Sequence, residues 1–446
     1  MTTSTPPSQA PAKQAQQFRI PQDSLWAQAW KVAAALSLVG IIASLLGFIS
    51  DPKRFAFSYL FAFIVVVSIA LGSLFFVLIQ HLSAAGWSAS VRRSAEVFLA
   101  GSPILALLVL PLLANVSHLY EWTHTADDSH HTEAHAEHAP APQHQEGHHA
   151  QQGEHKDKAH SPMEAALHHK LLAHKQGYLN TPFFLVRAVF YVAMWILWSL
   201  LYFRWSLRQD KDGDPKYTRW MQSRSPLALS VFGVTLTFAA FDWLMSLEPA
   251  WYSTIFGVYF FAASVVATLA MLIVFTMQLN ASGVLGNIVN VEHYHDLGKL
   301  LFAFICFWAY IGLSQLLLIW YAGIPEEATY YHHRWDSQGW RAVSLFLFVG
   351  HFAAPFFFLI SRMVKRRLTL LKYGASWMLF VHMVDMYWFV MPYADAHGFS
   401  LHWLDIACLM AVVGAYLAFV FYRMLGIPLI AVGDPRLHRA INFHNA

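Results

Sequence analysis

The chain has 446 residues, of which 57% are hydrophobic and only 12% are charged, whereas soluble domains carry about 25% charged residues. It is therefore predicted to be a polytopic membrane protein, and its small net charge of +3, spread over the loops, argues against a nucleic-acid partner. Cys306 and Cys408 form no CxxC or CxxCH motif, which excludes covalent c-type haem, cysteine-ligated clusters and zinc ribbons; we interpret both as buried free thiols.

The N-terminal segment is polar, rich in Pro and Gln, and lacks the early, short apolar core that a signal peptide needs. We expect residues 1–27 to form a solvated tail that leads into an uncleaved helix. Apolar runs long enough to cross a bilayer, which takes about 20 residues, then recur along the chain. They predict an all-α polytopic membrane protein of ten helices, at about 28–49, 56–80, 91–113, 183–205, 226–248, 253–279, 297–320, 340–361, 374–393 and 402–424.

The predicted helices fall into two blocks, with helices 1–3 in residues 28–113 and helices 4–10 in residues 182–424. A loop at 114–181 separates them, and a tail at 425–446 follows. Lys and Arg mark the cytoplasmic side of a membrane protein. They are dense in one set of loops and in the C-terminal tail, but sparse in the short loops of the other set. The asymmetry predicts that both termini are cytoplasmic and that the 114–181 loop is external.

The 114–181 loop holds 14 of the 25 histidines. Histidine-rich tracts can bind zinc, copper or nickel, and side chains with a pKa near 6.5 can buffer protons at the outer surface. Because the spacing is irregular and Gln, Ala, Pro and Glu fill the gaps, we favour a solvated low-complexity linker. Deleting residues 124–160 distinguishes these interpretations, since a spacer can be removed without changing activity or metal content.

An aspartate interrupts the apolar run of helix 5. Asp242 lies within Leu227–Leu247, where an unpaired carboxylate costs roughly 3 kcal/mol or more. Ionisable residues at membrane depth usually mark proton or ion pathways, so Asp242 is a hypothesis for a functional site. The alternative is that it bonds to a neighbouring helix and fixes packing only.

Other titratable side chains enter the predicted helices from both sides. His382 and Asp385 are three residues apart and share one face of helix 9, at a depth close to that of His351 in helix 8. Burial can keep a carboxyl neutral, and histidine exchanges protons near neutral pH. We therefore predict a proton path, with no catalytic residue and no metal site in this chain. Its candidate stations are Asp242, Glu248, His351, His382, Asp385, Glu96, His295, Asp296 and Lys299.

Each station also has a structural interpretation. Lys299 can extend to the membrane surface, Glu96 can pair with Arg92 or Arg93 one turn away, and the two mid-depth histidines can be satisfied core residues. The equal depth of these histidines also allows them to be axial ligands of one b-type haem. A reduced-minus-oxidised spectrum tests that alternative.

Two long stretches carry a resemblance to a known family. They are Phe232–Phe261 (FGVTLTFAAFDWLMSLEPAWYSTIFGVYFF) and His295–Glu327 (HDLGKLLFAFICFWAYIGLSQLLLIWYAGIPEE), and AGWSASVRR at 85–93 accompanies them. Together they resemble the F subunit of bacterial alternative complex III, a quinol:cytochrome c oxidoreductase unrelated to the bc1 complex. The resemblance implies a polysulfide-reductase-like membrane subunit, with helices 2–5 and 6–9 forming two four-helix bundles between flanking helices.

The resemblance also implies a role in the respiratory chain of the bacterial inner membrane. Menaquinol or ubiquinol is oxidised near the outer face by the complex, and the haems and iron–sulfur clusters lie in partner subunits. Those partners are a sister quinol-binding membrane subunit, an iron–sulfur subunit, multihaem cytochrome c subunits and a terminal oxidase. This chain is expected to bind no cofactor firmly and to supply a proton route, to which the DWLMSLEP and HDLGK motifs contribute their acids, histidine and lysine. The resemblance also allows a peripheral quinone site in this chain.

Two other functions are kept as alternatives. One is a structural scaffold for the sister subunit, in which neutralising the buried acids has little effect on turnover. The other is a stand-alone secondary transporter, a class that binds substrate at interrupted helices in matching halves. Paired interruptions are sparse here, and Pro355 in helix 8 is the clear interior proline.

Overall fold

The computed structural model describes residues 17–124, 170–286, 288–395 and 398–444. Within these ranges the regular structure is helical and contains no strand, which confirms the all-α class. Most of the histidine-rich loop and the first 16 residues lie outside the described residues, and so do the interpretations given to them. Residues 17–27 of the predicted solvated tail are described, and there Phe18 and Ile20 are buried and the first helix begins at Leu25. The ten long helices are α1 (Leu25–Ser50), α2 (Pro52–Leu82), α3 (Arg92–Ala114), α4 (Thr181–Asp212), α5 (Lys216–Trp243), α6 (Phe256–Ala281), α7 (Val291–Ala322), α8 (Gln338–Leu359), α9 (Leu368–Val390) and α10 (Trp403–Met424).

Shorter helical pieces join or interrupt these ten. α3 consists of α-helical turns at Arg92–Leu99, Leu105–Leu108 and Leu110–Ala114 and a 3₁₀ turn at Ser102–Ile104, whereas α8 contains a π-helical turn at Phe348–Ala353. A connecting helix, Pro325–Trp335, links α7 to α8. The remaining pieces are Trp87–Ser90, Val116–Leu119, Glu121–Thr123, Met245–Leu247, Arg362–Arg366, Met391–Tyr393 and Leu437–Ile441.

Nine of the ten long helices in the described ranges are long and apolar enough to cross a membrane. The exception is α9, which has 23 residues but includes Lys372, His382 and Asp385. The chain is thus a polytopic membrane protein of about ten helices. Successive helices alternate in direction, which gives the molecule two ends: the tail face, where α1 begins and α10 ends, and the loop face, where α1 ends and α10 begins.

The helices pack as two bundles of four. In the first bundle α2, α3, α4 and α5 contact one another in a ring, and in the second α6, α7, α8 and α9 do the same. The bundles meet where α2 packs on α6, while α1 packs on α10 and α10 packs on α2. This is the architecture expected from the family resemblance, with α1 and α10 as the flanking helices.

Small residues allow the two bundles to approach closely. A Cβ atom added to Gly72 of α2 would lie 2.1 Å from Oγ1 of Thr268 in α6, and that hydroxyl donates to the carbonyl of Ile69 at 3.2 Å. Close backbone approach at small residues is a common way of packing helices in membranes. The same part of α2 carries Ser68, whose hydroxyl contacts His382 of α9 and so links the first bundle to the second.

Candidate functional site

Asp242 is fully buried, and it is paired. Nε and one Nη of Arg187, from α4, bind its two carboxylate oxygens at 2.8 and 2.9 Å, and the hydroxyl of Tyr191 donates to it at 2.8 Å. The Arg187 guanidinium also stacks over the ring of Tyr178 at 3.9 Å. A bidentate arginine stabilises the ionised carboxylate, so this contact corresponds to the structural interpretation of Asp242.

The end of helix α5 differs from the sequence-based expectation. Helix α5 ends at Trp243 rather than near residue 248, and a 3₁₀ turn at Met245–Leu247 follows. The Ser246 hydroxyl donates to the carbonyl of Asp242 and so satisfies a helix-end carbonyl with a side chain. Asp242 therefore belongs to the last turn of α5 at the loop face, where Arg187 of α4 can reach it.

A second buried acid, Asp385 of α9, has very different surroundings. The indole Nε1 of Trp308 in α7 donates to its Oδ2 at 3.1 Å, and Nε2 of His351 in α8 lies 3.8 Å from the same oxygen. The His351 ring stacks on Trp308, with centroids 3.8 Å apart and planes 20° apart. His382, one turn before Asp385, places its Nε2 2.8 Å from the hydroxyl of Ser68 in α2. We call His351, His382, Asp385 and Trp308 the polar centre.

The π-helical turn positions His351 in the polar centre. Pro355 lies four residues later and has no N–H to donate to the His351 carbonyl, which an α-helix requires at that spacing. The helix widens over Phe348–Ala353 instead, and such single π turns occur frequently at functional sites. Sequence analysis recognised Pro355 as an interior proline but did not connect it with His351.

Several polar atoms of the centre are buried without a hydrogen-bond partner: both ring nitrogens of His351, Nδ1 of His382 and Oδ1 of Asp385. Buried polar atoms in native proteins are normally bonded to protein or ordered water. Among the described residues, no Lys or Arg forms an ion pair with Asp385, and its ionic contact is the imidazole of His351. The two buried acids thus differ in their contacts, because Asp242 is paired with Arg187, whereas Asp385 faces an imidazole and an indole.

The haem alternative requires His351 and His382 to coordinate one iron, each through a ring nitrogen. Nε2 of His382 is engaged with the Ser68 hydroxyl, and Nε2 of His351 lies 3.8 Å from the Asp385 carboxylate. To bind an iron through Nε2, His382 would have to give up its contact with α2. Among the described residues, no group of three or more His, Cys, Asp or Glu is arranged to hold a metal ion.

A cleft of about 1150 Å³ opens beside the polar centre, between α7, α8 and the connecting helix. Its walls are mostly apolar and aromatic, and Trp308 forms part of them. Arg334 lines the loop-face end, where it is buried and donates to three backbone carbonyls and the Tyr393 hydroxyl. Cys306 also lines the cleft and is only partly buried, so the prediction of two buried thiols is wrong for Cys306 and correct for Cys408.

Glu96 belongs to a buried ionic network at the tail face. It lies 2.9 Å from Arg92 Nε and 3.1 Å from an Arg93 Nη, so the structural alternative of a pair with Arg92 or Arg93 is observed, and both arginines take part. The Ser206 hydroxyl donates to it at 2.7 Å. Arg92 also binds Asp434 of the C-terminal tail at 2.6 Å. Both carboxylate oxygens of Glu96 are therefore engaged in hydrogen bonds and ion pairs within this network.

The network anchors the C-terminal tail. Arg93 binds Asp210 at the end of α4, and the backbone N–H of Gly433 donates to the same carboxylate at 3.0 Å. Arg436 pairs with Asp434 at 2.9 Å. Burial by itself would raise the pKa of Asp434, but the Arg92 and Arg436 guanidinium groups reverse this and hold the pKa below its usual range.

The remaining candidate stations lie near the two faces. At the tail face, Lys299 binds Asp296 at 2.5 Å and remains about half exposed, in keeping with an extended lysine at the membrane surface, while His295 is buried with Nδ1 unbonded. At the loop face, Glu248 lies 3.1 Å from Nε2 of His333. Three of the predicted stations thus lie in the polar centre. The others lie in two clusters at the tail face, around Glu96 and around His295–Lys299, and at two places on the loop face, Asp242 and Glu248.

Sequence reasoning missed Arg187 and Trp308, the two residues that distinguish the buried acids. Arg187 could have been recognised as a charged residue inside predicted helix 4. Nothing in the sequence marked Trp308, because a tryptophan counts as an apolar residue. Comparison with known proteins adds nothing to this geometry, since no family model and no curated protein matches the chain.

Proposed function

We propose that the chain is an integral membrane subunit of a quinol:cytochrome c oxidoreductase of the alternative complex III type. In this proposal the second bundle moves protons, and the cleft between α7 and α8 holds a quinone. The motifs DWLMSLEP and HDLGK support the assignment, as does the packing of α2–α5 and α6–α9 into two bundles. The redox centres belong to the partner subunits.

One observation carries the proton role: Asp385 is fully buried and faces an imidazole without a lysine or arginine partner among the described residues. Carboxyl and imidazole groups within a short distance exchange protons readily. Protons would enter at the tail face near His295 and Asp296, pass the polar centre and leave at the loop face near Glu248. Asp242 is outside this route, because Arg187 neutralises it.

The cleft fits a quinone in size and character. A volume of about 1150 Å³ slightly exceeds the usual range for pockets that enclose a drug-sized ligand. Aromatic walls suit a quinone ring, and the N–H groups of Arg334 and His332 at the loop-face end can donate to its oxygens. Menaquinol and ubiquinol are both compatible with these walls.

The distribution of charge supports an orientation. The basic clusters near 204–224 and 362–372 lie at the tail face, so the positive-inside rule makes that face cytoplasmic. Both termini would then be cytoplasmic and the histidine-rich loop periplasmic in a bacterial inner membrane. The sister membrane subunit, the iron–sulfur subunit and the multihaem cytochromes would assemble around the chain, together with a terminal oxidase.

The test compares two buried acids in the purified complex reconstituted into vesicles. Asp385→Asn should lower the number of protons released per electron, whereas Asp242→Asn should lower the yield of assembled complex and leave that ratio unchanged. The proton role is wrong if Asp385→Asn retains both the wild-type ratio and the wild-type rate of quinol oxidation. Failure of the tagged chain to co-purify with haem proteins would favour a stand-alone transporter.

A scaffold function has its own support in the described contacts. The Arg187–Asp242 pair and the Glu96 network hold helices of the first bundle and the C-terminal tail together, which a scaffold needs. A scaffold does not need a buried Asp–His pair without a counter-cation. It predicts that neutralising Asp385, His351 and His382 leaves turnover and proton release unchanged.

A further inference from the structure

The cleft and the polar centre share a wall, and that wall is Trp308. The residue lines the cleft, donates its indole N–H to Asp385 at 3.1 Å and stacks on His351 at 3.8 Å. One side chain therefore touches the space where a ligand would sit, the buried acid and the imidazole beside it.

The helix that carries His351 contacts the same cleft. Phe348 and Phe352 both line the cleft. They flank His351 in the chain and belong to the same π-helical turn. A ligand in the cleft would thus press on Trp308 from one side and on the turn that holds His351 from another. π turns are rare and are found frequently at functional sites.

We propose that Trp308 is a positioning residue that couples occupancy of the cleft to protonation of Asp385. The inference rests on the proposed function for its ligand, a quinone. With the cleft open, the indole has free space on one side into which it can swing away from Asp385. A seated quinone removes that space and confines the indole, so its N–H bonds more fully to the carboxylate.

The direction of the coupling follows from the donor. A hydrogen bond donated to a carboxylate favours the ionised form. Confinement of the indole therefore favours loss of the proton from Asp385 when the ligand binds. By linkage, a ligand that favours the deprotonated form binds more tightly as pH rises. Quinone binding should release a proton, and quinone affinity should increase with pH.

Other groups near Asp385 belong to each of the packed helices. They are His351 on α8, His382 on α9, Tyr259 on α6 and Tyr330 on the connecting helix. Trp308 is distinguished from all of them because it alone in this set donates a hydrogen bond to Asp385 and also lines the cleft with its indole.

The experiment measures the affinity of decylubiquinone for the complete complex at several pH values. The readout is protection of Cys306, which lines the cleft, against an uncharged maleimide; Cys408 is fully buried and serves as the internal control. Each rate is normalised to the ligand-free rate at the same pH, which removes the titration of the thiol itself. We expect the affinity of the wild type to rise by at least about fivefold over the range, the lower end of typical coupling between two sites.

Trp308→Phe keeps an aromatic ring against His351 but removes the indole donor. It should still bind the quinone, with an affinity that no longer depends on pH. The matched control is Trp195→Phe in the first bundle, which also loses a buried indole hydrogen bond, to Thr235 at 2.9 Å, and should retain the wild-type pH dependence. If Trp308→Phe does not accumulate, Asp385→Asn gives the same test, because it should also abolish the dependence.

Three outcomes overturn the coupling. The first is a wild-type affinity that does not vary with pH. The second is a Trp308→Phe or Asp385→Asn protein whose affinity depends on pH as strongly as that of the wild type. In both cases, quinone protection of Cys306 still supports a quinone as the occupant of the cleft. Absence of any protection in the wild type rejects the quinone as the occupant and this inference with it. Proton release on binding, followed with a pH-indicator dye, should disappear in the same variants.

Discussion

Arg187 and Asp242 join α4 to α5 through two parallel hydrogen bonds of 2.8 and 2.9 Å in a buried site. The sequence predicted Asp242 as a candidate proton station, but in the structure it forms an ion pair that links two helices. Asp385 has the opposite character, since its contacts are an indole donor and an imidazole. Among the described residues, an arginine therefore pairs with Asp242 and none pairs with Asp385, and the proposed proton route runs through Asp385.

Removing one partner of the Arg187–Asp242 pair should destabilise the protein. Arg187→Met leaves a buried, uncompensated carboxylate, and breaking a buried pair in this way costs about 3–5 kcal/mol. The double variant Arg187→Met/Asp242→Leu removes both charges and should recover most of the loss. The free energy of unfolding in detergent, measured for both variants, tests this. A single variant as stable as the wild type would show that the pair does not hold α4 to α5.

Anchorage of the C-terminal tail should depend on the charge of Asp434 but be insensitive to pH near neutrality. Its pKa is lowered by Arg92 and Arg436, so its contribution is present above the unfolded value of about 3.9 and is lost as pH falls through the still lower folded value. We expect equal resistance of residues 427–444 to proteolysis from about pH 8 to about pH 7. Asp434→Asn should make the segment sensitive throughout, and unchanged resistance would contradict the anchoring role.

Filling the cleft should exclude its ligand. Leu316→Trp adds volume inside the lining, whereas Leu317→Trp adds the same volume at an adjacent exposed position outside it. Overpacking costs about 1–3 kcal/mol, which corresponds to about fivefold to about a hundredfold in affinity. Decylubiquinone protection of Cys306 should weaken accordingly in Leu316→Trp and persist in Leu317→Trp. Equal protection in both variants would place the quinone elsewhere.

The ten helices could be predicted because a membrane leaves the backbone few options. Helices satisfy their own N–H and C=O groups, so each apolar run of spanning length gives one helix. The ends were less predictable: α5 finishes at Trp243 because side-chain contacts at the loop face replace its last backbone bonds. The π turn in α8 depends on Pro355 together with packing around His351. The sequence shows the proline but not the packing.

The candidate site was predictable in its residues but not in its grouping. His382 and Asp385 share a helix face, and that relation held in the structure. Which acid meets a cation depends on contacts between residues far apart in the chain, such as Arg187 with Asp242, 55 positions away. An indole donor such as Trp308 is apolar by composition, so its role becomes visible only when three helices are brought together.

Pro355 should be needed for the geometry of the polar centre. In Pro355→Ala the new N–H can donate to the His351 carbonyl, which favours a regular α-helix over the π turn. The His351 ring would then rotate away from Trp308 and Asp385, and protons released per electron should fall several-fold. Pro226→Ala is the matched control, because Pro226 is also inside a long helix, α5, but away from the polar centre, and this variant should release protons normally. Hydrogen exchange of the residue 355 amide reports whether the new backbone bond has formed. A protected amide with unchanged proton release would show that the π turn is not required for proton movement.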